Sequence, residues 1–330
     1  MRRVNFSTTS HALSEAIAFV KEWLLVFAMS VGIIGYFVVN ATLHVPQERH
    51  ELAEAVTGLL PVLLFVMLFL DFSKINPREL LPKPWIAWSL ACQIVVAVVM
   101  IGLVRWDVLP LWMEGIWEGI ACCMLVPTAT AVAVMTSRLG GNGASATTFA
   151  VLSSFSSAIA VPLLLPSIAE NGEGLAFSRL FVRIFLRVIP VIILPLLLSF
   201  AIRRYLPKAH ALTASFAKDK AFYLWAACVV VNTAQIVRVL FMGLLGLWGT
   251  LAYVAAAGLV SFLNFRVGKF IGNHYSDRIS AEQSMGQRNT VLSVWMCLTF
   301  LDPKSAIFMG AYMLWQNLFN SLQITFPKWR

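Results

Sequence analysis

About ten apolar segments, each close in length to a membrane-spanning helix, fill most of this 330-residue sequence. A helix needs about 20 mainly apolar residues to cross the hydrocarbon core of a bilayer. Charged residues make up only 12% of the chain, roughly half of their share in a soluble domain. The sequence therefore predicts an all-α, polytopic membrane protein. The predicted spans are residues 22–43, 54–71, 84–105, 112–137, 143–167, 180–203, 219–241, 244–268, 281–301 and 304–326.

Charge alternates between the two ends of these segments. Lysine and arginine gather at every second end, beginning with Arg2, Arg3 and Lys21 and finishing with Lys328 and Arg330. The intervening loops are poor in charge or acidic, and their acidic residues are Glu48, Glu51, Glu54, Asp107, Glu114, Glu170 and Glu173. Because cytoplasmic loops carry the excess of lysine and arginine, we expect both termini, including an N-terminal segment 1–21, to be cytoplasmic. A bacterial inner membrane is the expected location.

Two polar stretches interrupt apolar segments. The first is Val-Pro-Thr-Ala-Thr at 126–130, and the second is Ser-Met-Gly-Gln-Arg-Asn-Thr at 284–290. Irregular backbone at membrane depth is tolerated mainly where it lines a cavity inside the protein. The two stretches lie about half a chain length apart, and such matching interruptions indicate a secondary transporter built from inverted repeats.

Arg288 lies well inside the ninth predicted span. A charged group at mid-bilayer costs about 3 kcal/mol or more, so it usually faces a cavity or a partner. If the span instead began near Val291, only about 11 apolar residues would remain before Asp302, too few to cross. We therefore expect a span that is broken near Gly286, with Arg288 in a cavity.

The first interruption frees backbone groups in the fourth span. Pro127 removes an N–H and clashes with the preceding turn. Thr128 and Thr130 either satisfy the freed backbone or face a ligand, and both roles stay open. If the two breaks meet, the half-helix N-termini point at one place and attract anionic groups. Gln93 and Asn317 are single amides in apolar segments, for which a hydrogen bond between helices is the ordinary role.

Several function classes are excluded by what the chain lacks. It has no nucleotide-binding loop, and its histidines and cysteines show no metal-ligand spacing. No Ser/His/Asp set or carboxylate pair occurs at membrane depth, so we predict a protein that is not an enzyme and has no cofactor or metal. The net charge of +9 reflects cytoplasmic loops, and no nucleic-acid partner is expected because no basic run carries interleaved aromatics.

The chain resembles the bile acid:sodium symporter family over nearly its whole length. Residues 63–72 resemble the family's second helix, which ends in an Asp-Phe pair, and Gln93 matches a glutamine on its third helix. The other matching motifs are Pro127 with Thr128 and Thr130, Gly141-Asn142 with the Ser/Thr-rich fifth helix, Asp277-Arg278, Gly286-Gln287-Arg288-Asn289-Thr290, and Trp315-Gln316-Asn317.

The resemblance implies ten transmembrane helices, arranged as two inverted five-helix repeats with broken, crossing helices four and nine. It also implies a panel domain of residues 22–83 and 177–241 (helices one, two, six and seven). The remaining helices, in residues 84–176 and 242–326, would form a core domain. Family substrates are amphipathic or small organic anions, usually moved with sodium.

The sequence departs from the family where sodium is bound. The family's Ser-Asn after the helix-four break becomes Val132-Ala133, its helix-five Ser and Thr fall on Ala146 and Ala150, and its helix-nine Glu and Gln fall on Ser284 and Arg288. Sodium needs several oxygen ligands, and a guanidinium supplies none. A one-residue shift would place Gln283 and Gln287 at the last two positions, and a larger one would bring in Glu282. The sequence thus argues against Na⁺ as a coupling ion.

We predict a secondary-active transporter of an organic anion, bile-acid-like or a small carboxylate, that works by alternating access in the lipid bilayer. The predicted substrate contacts are Thr128, Thr130, Arg288, Asn289, Thr290 and Asn317. The predicted ion-site residues, or remnants of such a site, are Gln93, Glu282, Gln283, Ser284 and Gln287. Arg288 is either a fixed cation that replaces a transported one or a direct bidentate ligand of a carboxylate. Two alternatives stay open, a sodium-coupled symporter with a rearranged ion site and a non-transporting receptor or scaffold of the same fold. The oligomeric state is not predicted.

Overall fold

The computed structural model describes residues 6–106, 110–169 and 176–326, and within these ranges every regular element is helical. The α-helices, α1 to α12 in chain order, are Phe6–Thr42, Pro46–Ser73, Pro84–Arg105, Glu114–Leu125, Val132–Arg138, Gly143–Leu164, Phe177–Tyr205, Pro207–Phe241, Leu247–His274, Arg278–Gly286, Thr290–Phe300 and Pro303–Thr325. Seven charged residues used above to predict the topology lie outside the described ranges, namely Arg2, Arg3, Asp107, Glu170, Glu173, Lys328 and Arg330.

Each predicted span coincides with one helix or with a pair of short helices. By length and composition, seven of the described helices could cross a membrane, which confirms an all-α, polytopic membrane protein. The fourth span is divided into α4 and α5, and the ninth into α10 and α11, so neither counts as one long apolar helix. The tenth, α12, carries four amide side chains that lower its mean hydropathy. Helix α1 begins at Phe6, well before the predicted residue 22.

The two breaks occur where the sequence predicted them. Helix α4 ends at Leu125, and the backbone of Val126 is extended (φ −74°, ψ 150°), as expected for a residue that precedes a proline. Helix α10 ends at Gly286, and the extended Gln287 (φ −94°, ψ 112°) follows it. Helix α11 then begins at Thr290. Each break therefore follows from a local feature of the sequence.

Helix α1 packs on α8, and α2 packs on both α7 and α8. Helix α9 packs on both α10 and α12, α4 packs on α3 and α12, and further contacts join α6 to α7 and α8 to α12. The largest buried apolar cluster runs through the centre and includes Cys122, Trp295 and Phe308. Many large apolar side chains on the outer helix surfaces are exposed, for example Trp88 and Ile159, as expected where the protein faces lipid.

Asp277 ties together the ends of three helices. Its Oδ2 atom accepts hydrogen bonds from Trp85 Nε1 (3.0 Å) and from Ser145 Oγ (2.8 Å), at the starts of α3 and α6. Ser280, one turn into α10, accepts a bond from the backbone N–H of Asn142 at 2.9 Å. These charge-assisted and neutral bonds fix where α10, and hence the second break, begins.

The contact between α9 and α10 is too close for a side chain at Gly268. A methyl group there would lie 2.5 Å from the carbonyl oxygen of Ala281 and 2.9 Å from the Cα atom of Glu282. Gly268→Ala is expected to destabilise the protein by about 1–3 kcal/mol, since backbone would have to move. Gly58→Ala is the control, because nothing lies within 4 Å of a methyl group at that position. Thermal unfolding in detergent should show a lower Tm for the first variant only, and equal Tm values would contradict this packing.

Candidate functional site

The two breaks lie against each other in the protein interior. The N–H of Ala129 donates to the carbonyl oxygen of Gln287 at 3.2 Å, and the N–H of Asn289 donates to that of Pro127 at 3.0 Å. These two bonds form an isolated antiparallel bridge, the contact expected of two short extended segments. We call this pair of segments, residues 126–130 and 286–290, the junction.

Two further hydrogen bonds involve Thr128 in the first segment. The backbone N–H of Thr128 donates to Ser153 Oγ at 3.2 Å, and the Thr128 hydroxyl donates to the Gln287 carbonyl. The Thr128 side chain therefore forms a hydrogen bond with a backbone group, which is one of the two roles that its sequence context left open. Sequence reasoning did not assign Ser153 to the site.

Helix α12 holds the second segment. Gln316 accepts from the backbone N–H of Arg288 at 2.9 Å and donates to its carbonyl at 3.4 Å. The Tyr312 hydroxyl donates to the carbonyl of Gly286 at 2.8 Å. Sequence reasoning did not assign either residue to the site, although Gln316 stands in the Trp-Gln-Asn motif.

The guanidinium of Arg288 is fully buried and contacts α4. Its Nη2 atom lies 3.9 Å from Met124 Sδ, and the thiols of Cys92 and Cys123 lie close by. Within the described residues, neither Nε nor Nη1 has a hydrogen-bond partner, and Nη2 contacts only sulfur, so no described carboxylate pairs with this charge. Arg288 is therefore an interior cation, not a residue of the cytoplasmic interface.

The other predicted substrate contacts divide between the junction and its surroundings. Asn289 caps α11 by accepting from the N–H of Leu292 at 3.1 Å, and Thr290 is buried beside it. The hydroxyl of Thr130 donates to Asp71 Oδ2 on α2. The amide of Asn317, in contrast, donates at 2.6 Å to Met313 of its own helix.

Three of the five predicted ion-site residues form a buried chain of hydrogen bonds with Gln323 of α12. Gln287 donates to Gln283 at 2.6 Å, and Gln283 donates to Gln323 at 2.6 Å. Gln323 in turn donates to Glu282 Oε1 at 2.8 Å. The chain leads from the junction to a cleft that is lined by Glu282 together with Phe262, Phe265, Arg266, Lys269, Phe319 and Gln323.

The remaining two ion-site residues do not join that chain. Gln93 donates to the sulfur of Met285 at 3.1 Å. Ser284 is fully buried, and its hydroxyl has no hydrogen-bond partner among the described residues. The two sets therefore do not form one cluster of oxygen ligands.

Apolar residues occupy positions that the sequence resemblance aligns with other sodium ligands of the family. Val132, Ala146 and Ala150 contact one another and form a small buried cluster between α5 and α6. Such a cluster offers no oxygen to a cation.

Adjacent amides on α12 provide a test of how the junction is held. Gln316→Leu would leave the N–H of Arg288 unsatisfied in the interior, so we expect a loss of about 1–3 kcal/mol in the free energy of unfolding. Asn317→Leu removes only a bond to its own helix and should cost less than about 1 kcal/mol. Thermal or denaturant unfolding of the purified variants measures both effects. Equal losses would show that Gln316 does not support the junction.

The matches with known proteins agree with this geometry. The model of the Sodium Bile acid symporter family matches residues 56–242, which is more than half of the chain. The chain is also 23% identical over 324 residues to a Bacillus subtilis (strain 168) protein that is described as an uncharacterized sodium-dependent transporter, YocS. That match covers 92% of this chain and 89% of the relative. This chain is therefore a membrane transporter rather than an enzyme, and it belongs to the sodium bile acid symporter family.

Proposed function

We propose that the protein is a secondary-active transporter of an organic anion, bile-acid-like or a small carboxylate, in which Arg288 acts as a fixed cation. The single observation that carries this proposal is the fully buried guanidinium beside the junction, with two donors that lack partners. A buried charge without a counter-ion is strongly destabilising. An anion bound at the junction compensates that charge.

A fixed cation is favoured over a direct bidentate ligand. The guanidinium lies among side chains of α3 and α4, behind the paired backbone of the junction. Thr128, Asn289 and Thr290 lie at the junction itself, and the N-terminus of α11 adds a partial positive charge there. At an effective dielectric constant of about 20, two unit charges about 4 Å apart attract by about 4 kcal/mol, enough to hold a carboxylate without a fork-shaped contact.

The same positions explain why sodium is not expected as the coupling ion. Where the family supplies oxygen ligands, this chain has the apolar cluster of Val132, Ala146 and Ala150. Arg288 supplies a permanent positive charge that needs no transported ion. We therefore expect transport to be driven by the gradient of the anion itself or by exchange of one anion for another.

Alternating access requires two bodies, which we assign as predicted from the sequence. The panel is residues 22–83 and 177–241, and the core is residues 84–176 and 242–326, with ten spans as two inverted repeats. The packing of α1 and α2 on α7 and α8 supports the panel, and the pairing of one break from each half supports the repeats. A bacterial inner membrane location with cytoplasmic termini remains our proposal.

One observation favours a second candidate, a sodium-coupled symporter with a rearranged ion site. The relative YocS is described as sodium-dependent, and Glu282 is a buried carboxylate connected to the junction through the amide chain. A receptor that binds the anion without moving it is the third candidate, because the same site would serve it.

Ion substitution and Arg288 variants in proteoliposomes test the proposal. Uptake of labelled carboxylates should be unchanged when sodium is replaced by choline, and Glu282→Gln should transport like the wild type. Arg288→Gln should weaken anion binding about tenfold or more, because the charge is lost. Arg288→Lys should keep most of the affinity, since a fixed cation needs charge but not a planar fork.

Each alternative function or binding mode predicts a different result in this assay. Sodium-dependent uptake that disappears in Glu282→Gln would establish the rearranged symporter. Loss of binding in Arg288→Lys as complete as in Arg288→Gln would show direct bidentate recognition. Binding without accelerated counterflow of labelled substrate would identify a receptor.

The contact between Thr130 and Asp71 should break during each transport cycle, because it joins the proposed core to the proposed panel. In a background without native cysteines, we expect a short bifunctional thiol reagent to block transport in the Thr130→Cys/Asp71→Cys variant. Reduction should restore it. The control pair, Gln283→Cys/Gln323→Cys, lies within the core and should transport after cross-linking. Unimpaired transport by the first cross-linked pair would contradict movement at this contact.

A further inference from the structure

We infer that Asn232 on α8 is the panel-side recognition group of the substrate site and that it selects anions carrying a hydroxyl group. This inference rests on the proposed function and adds a substrate class to it. Asn232 is fully buried, with 0% of its surface exposed. Among the described residues, neither its Oδ1 nor its Nδ2 atom has a hydrogen-bond partner.

The neighbours of α8 show which way Asn232 faces. Ile236, one turn further along the helix, packs on Gly310 of α12, with its Cδ1 atom 2.6 Å from the place a Gly310 methyl group would take. Residues four apart lie on one helix face, so Asn232 also faces the core. Thr233 packs instead on Gly32 of α1, and Gln235 donates at 3.0 Å to Ala53 of α2.

The depth of Asn232 follows from the directions of the helices. Helix α8 ends at Phe241 and α9 begins at Leu247, so these two helices run in opposite directions through the protein. Helix α12 runs in the same direction as α9, since Tyr253 lies beside Lys304 near the starts of both helices and Phe265 lies beside Phe319 near their ends.

Helices α8 and α12 are therefore antiparallel. Moving back one turn along α8, from Ile236 to Asn232, corresponds to moving forward one turn along α12 from Gly310, a distance of about 6 Å. In depth along α12, that position falls between Tyr312 and Gln316, the two residues that hold the second segment of the junction. Asn232 is thus at the depth of the junction, on the helix that packs against both α11 and α12.

The chemistry of an amide limits what can satisfy it. Asn232 presents an acceptor and two donors, and a buried polar group without a partner is costly. A hydroxyl group on the substrate both donates and accepts, so it satisfies Oδ1 and Nδ2 together. A second carboxylate accepts only and would leave Oδ1 unpaired. The proposed substrate is therefore a hydroxylated carboxylate whose anionic end lies at the junction.

Paired probes that differ by one or more hydroxyl groups test this inference. Exchange through wild-type proteoliposomes would be measured for lactate against propionate, malate against succinate, and cholate against 5β-cholanate. At concentrations below saturation, we expect the hydroxylated member of the transported pair to exchange about ten- to a hundredfold faster, the effect of leaving a buried group unpaired. In Asn232→Leu, the two members of a pair should exchange at similar rates.

Matched variants separate recognition from structure. Thr233→Val alters the adjacent buried residue, which faces α1, and should keep the wild-type preference. The Tm of Asn232→Leu should equal or exceed that of the wild type, because an unpaired amide is replaced by an apolar group of similar size. A purely structural amide would lower the Tm and leave the preference intact. Arg288→Gln should weaken the binding of both probes in a pair by the same factor.

Equal exchange of a hydroxylated probe and its deoxy partner by the wild type would overturn the role of Asn232 and leave anion transport standing. A preference that survives in Asn232→Leu would overturn it as well. If the wild type exchanges none of the probes, anion transport fails, and this inference fails with it.

Discussion

The main-chain pairing of the two breaks is the interaction on which the rest of this structure depends. Each broken span leaves N–H and C=O groups without helical partners, and such groups cost several kcal/mol each in a bilayer. The bonds between Ala129 and Gln287 and between Asn289 and Pro127 satisfy four of them at once. Neither break is stable without the other, so the two halves of the chain must meet at this point.

The charge of Arg288 follows from that arrangement. Main-chain groups of the two breaks bond to one another, and Nη2 of the guanidinium contacts the sulfur of Met124, with the thiol of Cys123 close by. A guanidinium in these surroundings retains much of its electrostatic effect, since no carboxylate among the described residues pairs with it. The apolar cluster of Val132, Ala146 and Ala150 lies where the sequence resemblance aligns other cation ligands of the family. Under the proposed function, the missing oxygen ligands and the tethered charge belong together.

The sequence predicted the breaks well because their signals are local. A proline, a glycine or an arginine within an apolar run is visible without any knowledge of the neighbouring helices. The side chains that form hydrogen bonds with the breaks were not predictable in this way. Gln316 and Asn317 are adjacent amides, and only the rotation of α12 decides that Gln316 bonds to Arg288 while Asn317 bonds to Met313. Asn232 gave no signal, because amides in a long helix of this kind, here Asn232 and Gln235, ordinarily form contacts between helices.

Ser284 bears on the proposal that an anion, rather than a residue of the protein, completes the site. The sequence resemblance aligns the family's glutamate with this position, four residues before Arg288 and on the other side of the break. Here the residue is a serine, whose buried hydroxyl has no partner among the described residues. The only buried carboxylate on α10, Glu282, is engaged by Gln323 on the far side of the amide chain. Among the described residues, no carboxylate therefore compensates the positive charge, and under the proposed function a bound anion does so, which would couple substrate binding to the stability of the junction.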